Sequence, residues 1–368
     1  FNVQPVSDDT AALTLNTPTS GAIATPGQRD IYTFSLATAQ RTVLDIQPTN
    51  ANMRWTLLGP RGVVVSDRYF HNTDSADGSS ILDLVAGDYT LVIDSDNDVT
   101  GGYGFNLITL DDATPITVGE AVSGTLNPAS STQVFQFDAQ AGEHYYFDRT
   151  ASSGGDTYWR LIGPFGNAVW GPQGIGSDAD ATLGASGTYT LLVEGRYYVS
   201  GTASYAFTLR NVTDDTAAMS LDTLVSGSIA SAGQRDFHTF NLAQATRVAF
   251  DAQLFNNSFF WSLRGPNGDV VRDRRFYSSD SADGSPILNL AAGDYTLTVD
   301  ADADVTGDYG FRLLDLAQAT VIAPGVLVSG TLDPATATQV YKFDAVAGER
   351  WYFDRTAHAG GDTWWRLR

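Results

Sequence analysis

The sequence predicts an all-β protein: a tandem array of small antiparallel β-sandwich modules that alternate in type, A-B-A-B. Three observations predict it. The dipeptides Ser20-Gly21, Ser123-Gly124, Ser226-Gly227 and Ser329-Gly330 recur at equal spacing, so the chain is built from copies of one unit. Within each unit apolar residues alternate with polar ones, and no stretch shows a helical period. Turn signals separate the runs, at Gly59-Pro60-Arg61-Gly62, Gly163-Pro164-Phe165-Gly166 and Gly265-Pro266-Asn267-Gly268.

Taken in order, each unit opens on its Ser-Gly strand and continues into an alternating strand such as Tyr32-Thr33-Phe34-Ser35-Leu36, whose large apolar residues share one face. It then passes the Gly-Pro turn to a Gly-x-Tyr-Thr-Leu strand, as in Tyr89-Thr90-Leu91-Val92-Ile93, and closes on a Tyr-x-Phe strand. Seven to nine strands in about a hundred residues suit a small two-sheet sandwich. Self-comparison at a shift of 206 residues gives a much closer match than half that shift. Asp74-Ser75-Ala76-Asp77-Gly78-Ser79 returns as Asp280-Ser281-Ala282-Asp283-Gly284-Ser285, and Tyr146-Phe147-Asp148-Arg149-Thr150 as Tyr352-Phe353-Asp354-Arg355-Thr356. A-type modules are therefore expected at 7–110 and 213–316, and a B-type module at 111–212. Residues 317–368 read as an incomplete B-type module, and 1–6 as the last strand of a preceding one, because Phe1–Val6 matches Phe207–Val212. The expectation is a window on a longer array, or a partial module completed by a strand from another copy of the chain.

The formal net charge of -21 comes almost wholly from aspartate set against arginine: glutamate occurs only at positions 120, 143, 194 and 349, and lysine only at 342. Aspartate serves turns, caps and short oxygen ligation, which suits a loop-rich β protein. Such acidity repels phosphate backbones and argues against nucleic-acid binding. Without cysteine there is no disulfide framework and no thiolate metal site. No apolar run reaches membrane-spanning length.

The order Ser-Gly-x-Leu, aromatic-x-Phe, Leu-x-Gly-Pro-x-Gly, Gly-x-Tyr-Thr-Leu, Tyr-x-Phe-x-Leu resembles the bacterial pre-peptidase C-terminal domain. The B module carries it at Ser123–Leu126, Phe135–Phe137, Leu161–Gly166, Gly187–Leu191 and Tyr205–Leu209. The resemblance implies jelly-roll-like sandwiches of the kind that accompany secreted proteases and large surface proteins. It also implies an extracellular or bacterial cell-surface setting, and some such domains bind calcium, collagen or polysaccharide. Its motifs are turns and core positions, so it speaks to fold more than to function.

Catalytic groups are not repeated. His71 becomes Tyr277, His144 becomes Arg350, His238 replaces Tyr32 and His358 replaces Ser152. Neither a Gly-x-Ser-x-Gly elbow nor a His-Glu-x-x-His motif occurs. No enzymatic activity is expected of this chain, since a hydrolase would need a site assembled across copies.

The candidate chemistry lies in the A-module loops. Asp94, Asp96 and Asp98, repeated as Asp300, Asp302 and Asp304, alternate after the Gly-Asp-Tyr-Thr-Leu strand and offer several oxygens to a hard cation, with Asp74, Asp77, Asp280 and Asp283 as further ligands from a second loop. Ca²⁺ is the candidate ion, because it takes six to eight oxygens in irregular geometry. Val99 and Val305 stand where the helix-loop-helix calcium motif needs glycine. The competing reading is a solvated turn whose aspartates cap backbone amides, although carboxylates this close repel one another unless a cation or an arginine intervenes. B modules repeat instead an arginine-aromatic cluster, Asp148-Arg149 with Gly154–Arg160, and read Glu194-Gly195-Arg196-Tyr197-Tyr198 at the corresponding turn. Trp170, Tyr197 and Tyr198 are candidate glycan or surface-ligand contacts, against the alternative of an ion-paired structural strand with Trp159 in the core.

The reading that follows is a non-enzymatic extracellular structural repeat, a stalk, fibre or adhesin segment rigidified by calcium, whose partners are neighbouring modules and other copies of the chain. The alternative is a set of carbohydrate- or protein-binding modules serving a secreted enzyme.

Overall fold

The computed structural model describes residues 3–73, 81–279 and 287–368. Their regular structure is almost entirely strand, with only short 3-10 turns besides. The chain divides into two compact units, Phe1–Asn211 and Val212–Arg368.

In the first unit the A-type sandwich contains β1 (Asp9–Ala12), β2 (Thr19–Ile23), β3 (Asp30–Leu36), β4 (Gln40–Ile46), β5 (Met53–Gly59), β6 (Gly62–Tyr69), β7 (Ile81–Leu84), β8 (Gly87–Ser95) and β9 (Gly101–Thr109). They form a five-stranded sheet, β1-β3-β8-β5-β6, facing a four-stranded one, β2-β9-β4-β7. The B-type sandwich repeats this plan with β10 (Thr114–Pro115), β11 (Ala121–Leu126), β12 (Thr132–Ala139), β13 (His144–Ser153), β14 (Thr157–Ile162), β15 (Ala168–Gly174), β16 (Ala179–Thr182), β17 (Gly187–Gly195) and β18 (Ala203–Val212). Its sheets are β10-β12-β17-β14-β15 and β11-β18-β13-β16. In the second unit nine strands from Asp215–Ala218 to Gly307–Asp315 give the same two sheets again. The sandwiches are antiparallel except at one edge: β1 pairs with β3, and β10 with β12, in parallel.

Alternation builds each core. Tyr32, Phe34 and Leu36 of β3 line the inner face of the five-stranded sheet with Trp55, Leu57, Leu91 and Ile93 in the first sandwich. Phe135, Phe137, Trp159, Leu161 and Leu191 do so in the second, and Phe240, Trp261, Leu263 and Leu297 in the third. The recurring Ser-Gly has a steric cause. Gly21, Gly124 and Gly227 pair across the sheet with Tyr103, Tyr205 and Tyr309. A Cβ at these glycines would lie 2.3, 2.4 and 2.2 Å from the tyrosine Oη, so the ring folds over the space that only glycine leaves.

The two ends are less regular than whole modules. Residues 3–8 form no strand, and Phe1 and Asn2 fall outside the described residues. Residues 317–368 contribute only the short pair Thr320–Val321 with Tyr341–Lys342. Trp364 and Trp365 are each 65% exposed, whereas Trp159, the counterpart of Trp365, is fully buried.

Candidate functional site

The aspartate loops are arginine clamps. On the outer face of the first five-stranded sheet, Arg54 of β5 donates from Nη1 to Asp67 Oδ2 at 2.5 Å and pairs through Nη2 with Asp96 Oδ1. Its guanidinium lies 4.2 Å from the ring centroid of Tyr69, whose hydroxyl donates to Asp96 Oδ2 at 2.6 Å. That hydrogen bond to a carboxylate raises the Tyr69 pKa. In the second A-type sandwich the cross-strand pair Arg54–Tyr69 is exchanged for Phe260–Arg275. Arg275 now makes the fork to both oxygens of Asp302 and lies over the Phe260 ring at 5.6 Å. Arginine and aromatic have swapped strands while the carboxylate keeps its partner, the compensation expected where the ion pair is what the fold retains.

Asp94 and Asp300 cap the amides of Ser95 and Ala301, each at 2.7 Å, while Asp98 and Asp304 are exposed. Among the described residues no three acidic or histidine side chains converge on a position suited to a metal. Asp74, Asp77, Asp280 and Asp283 lie outside the described residues.

The B-type cluster resolves into separate pairs. Arg160 and Glu194, on neighbouring strands β14 and β17, form a two-pronged bridge with Nε–Oε2 and Nη2–Oε1 distances of 2.7 Å, both side chains almost fully buried. Arg210 pairs with Asp148 at 2.7 Å. Of the candidate aromatics, Trp170 is half-buried in the core, edge-on to Phe147 and Trp159. Tyr197 packs against the core of the preceding sandwich, with His71 6.2 Å away. Only Tyr198 is open, at 55% exposure. Its ring and that of Tyr158 flank the Arg196 guanidinium, and its hydroxyl donates to Asp156 at 2.7 Å, which pushes its pKa up to about 12.

The histidines sit in structural surroundings. His238 is buried; its Nε2 lies 2.7 Å from the Tyr309 hydroxyl, which in turn donates to Asp236. Burial lowers its pKa. His144 is buried and stands 3.3 Å from Asp180. His71 Nδ1 lies 3.0 Å from the Ala51 carbonyl oxygen.

Sequence reasoning expected neighbouring modules to touch but did not place the seam between the first two sandwiches. Val43, Leu110 and Ala113 from the A-type side and Val134, Ile162 and Leu192 from the B-type side form a buried cluster distinct from both cores. The outer face of β2-β9-β4-β7 lies on the outer face of β10-β12-β17-β14-β15, so β14 and β17 are buried on both faces. Polar groups sit beside the apolar ones. Thr132 Oγ1 donates to Asp45 Oδ1 at 2.8 Å, and a cleft of about 400 Å³ opens at the margin among Asn16, Asn106, Asp112, Thr132, Gln133 and Phe135. The available signal was the break in alternation at Val43-Leu44, Val134-Phe135, Leu161-Ile162 and Leu191-Leu192-Val193, each apolar at an outward position as well as an inward one.

Neither a scan against protein-family models nor a search of curated proteins returns a match. Among solved structures the chain is similar to the pre-peptidase C-terminal domain of a Bacillus anthracis collagenase, at 18% identity over 29% of this chain and 99% of that one, with a TM-score of 0.21. It is also similar to a periplasmic inhibitor of g-type lysozyme from Aeromonas hydrophila, at 16% identity over 27% of this chain and 96% of that one, TM-score 0.21. A third is the CUB1-EGF-CUB2 segment of human MASP-1/3, at 10% identity over 52% and 99%, TM-score 0.20. At these scores the likenesses carry no functional argument. Among the described residues no helix is long and apolar enough to cross a membrane.

Proposed function

We propose that this chain is a segment of an extracellular structural repeat, a non-enzymatic stalk or adhesin region whose sandwiches are joined by rigid seams. The observation that carries the reading is the buried seam, in which Val43, Leu110, Val134, Ile162 and Leu192 meet beside the Arg160–Glu194 bridge. Burial of both faces of β14 and β17 is what a load-bearing neighbour contact requires and what freely hinged beads would lack. The arginine-aromatic clamps and the pairing of Tyr197 with the adjacent sandwich support it, since they commit the candidate site residues to holding strands and modules in place. The resemblance to pre-peptidase C-terminal domains belongs to the same proposal.

Leu192→Asp tests it by placing a carboxylate in the buried apolar cluster, two residues from Glu194 on the same strand. Small-angle scattering of the chain should change from a fixed to a flexible arrangement of the first two sandwiches while the far-UV spectrum is retained. Scattering already flexible in the unaltered chain, or unchanged by the substitution, refutes the reading.

One observation favours a second function: the exposed Tyr198 ring lies over the buried Arg196 guanidinium with Asp156 at its hydroxyl, a single open aromatic with polar groups at its edge, as a weak saccharide contact would need. Tyr198→Ala, rather than a change at the packed Trp170, separates binding from folding. Saturable glycan binding lost in that variant supports it, and a silent glycan array removes it.

A further inference from the structure

The first and third sandwiches differ in one buried pair whose chemistry is decisive at the seam. On the outer face of β4, Asp45 stands opposite Asn106 of β9. The corresponding residues of the third sandwich are Asp251 and Arg312, where Arg312 donates through Nε and Nη2 to Asp251 Oδ2 at 3.0 and 2.8 Å and through Nη2 to the Thr338 carbonyl at 3.1 Å. In the second sandwich the aspartate at this place, Asp148, has Arg210. Asp45 alone of the three faces a neutral amide.

Among the described residues no arginine, lysine or histidine pairs with Asp45. Asp45 is 4% exposed. Just past the end of its own strand Gln47 offers an amide at 3.5 Å, and from β12 Thr132 offers its hydroxyl. From β17 comes the like charge of Glu194, whose two oxygens already hold Arg160 of β14. Across β9, the buried Asn106 Oδ1 has no donor. A protonated Asp45 answers both deficits, because the neutral acid carries no charge to desolvate and brings an O–H to a place where an acceptor lacks one.

We propose that the seam between the first two sandwiches is a proton-sensitive joint: it closes most tightly on the neutral Asp45 carboxyl and loosens as that carboxyl ionises, whereas the arginine-compensated counterpart in the third sandwich does not respond.

The direction follows from linkage. In the closed seam burial raises the Asp45 pKa to about 7, with the Glu194 charge adding to the rise. In the opened seam the carboxyl meets water and returns toward about 4. The closed form therefore has its full advantage below about pH 4. It loses up to about tenfold in its closed-to-open ratio per pH unit as the opened form ionises, and levels off above about pH 7. The joint concerns the strength of the seam, so it stands apart from whether the array serves as a stalk.

Hydrogen exchange of the chain between pH 5 and 8.5, corrected for intrinsic rates, reads the opening directly in peptides covering 40–47 and 132–139. Protection there should fall toward pH 7 and then level, and the matching peptides at 246–253 should show no such trend. Asp45→Asn should abolish the slope, and Asn106→Arg, which restores the partner seen in the third sandwich, should flatten or reverse it. A flat wild-type profile, or an unchanged slope in either variant, overturns the proposal; Asn106→Arg decides the matter should Asp45→Asn fail to fold. Failure of the slope alongside rigid scattering removes the proton-sensitive joint and leaves the stiff-array reading standing.

Discussion

Replacing Glu194 by glutamine removes one charge from a pair that is almost wholly out of water. The side chains of Arg160 and Glu194 are 6% and 3% exposed, and the two hydrogen bonds between them are both 2.7 Å long. Such a bridge need not stabilise the fold more than an apolar pair would, because desolvation offsets its attraction. Breaking it is different: Arg160 would keep its charge and lose its counter-charge, at about 3–5 kcal/mol. The glutamine amide retains one acceptor oxygen, and loss of the Glu194 charge relieves Asp45, so the lower end, about 3 kcal/mol, is expected. That corresponds to roughly a hundredfold faster exchange of the β14 and β17 amides if they exchange through opening of this region. The double variant Arg160→Met with Glu194→Leu leaves no orphaned charge and should recover most of the loss. Less than a tenfold change in Glu194→Gln, or a double variant as damaged as the single one, would refute the reasoning that the pair is a desolvated structural bridge.

The His238 network predicts the opposite pH response to Asp45. Because burial lowers the histidine pKa, the third sandwich should hold full stability above about pH 6.5 and lose it as pH falls below, with His238→Tyr removing the dependence in calorimetric scans. Gly124→Ala should destabilise the second sandwich by about 1–3 kcal/mol through displacement of Tyr205, read from its denaturation midpoint; a neutral result would contradict the packing of ring over glycine. Calcium at the aspartate loops is tested by melting with the ion and then with chelator. On the clamp reading, Asp96→Asn lowers the melting temperature equally in both, and a calcium-dependent shift abolished by Asp96→Asn would restore the ion as the partner.

The candidate sites were legible as residues but not as partnerships. Alternating carboxylates at 94, 96 and 98 look alike in sequence, whether a cation or an arginine neutralises them. Arg54 and Tyr69 lie on strands far from that loop in the chain, and only strand pairing brings them to Asp96. The exchange of Arg54 and Tyr69 for Phe260 and Arg275 was visible in the repeat, yet its meaning depended on knowing that the two positions are cross-strand neighbours. Tyr197 read as a surface aromatic because sequence carries no record of which face a neighbouring module covers, and Trp170 because the irregular register of β15 against β14 obscures which of its residues turn inward to their own core.

By itself the sequence determined the all-β class, the alternation of two module types, the turns and the inward residues of each sandwich, because these follow from period-two burial and local turn chemistry within a few residues. Tertiary structure alone decided that the outer face of one sheet is also a buried interface, that Tyr103, Tyr205 and Tyr309 require the recurring glycines, and that Asp45 lacks the arginine found beside its counterparts. Each of these depends on residues brought together across sheets from distant positions in the chain, where burial and charge compensation are properties of the pair rather than of either residue.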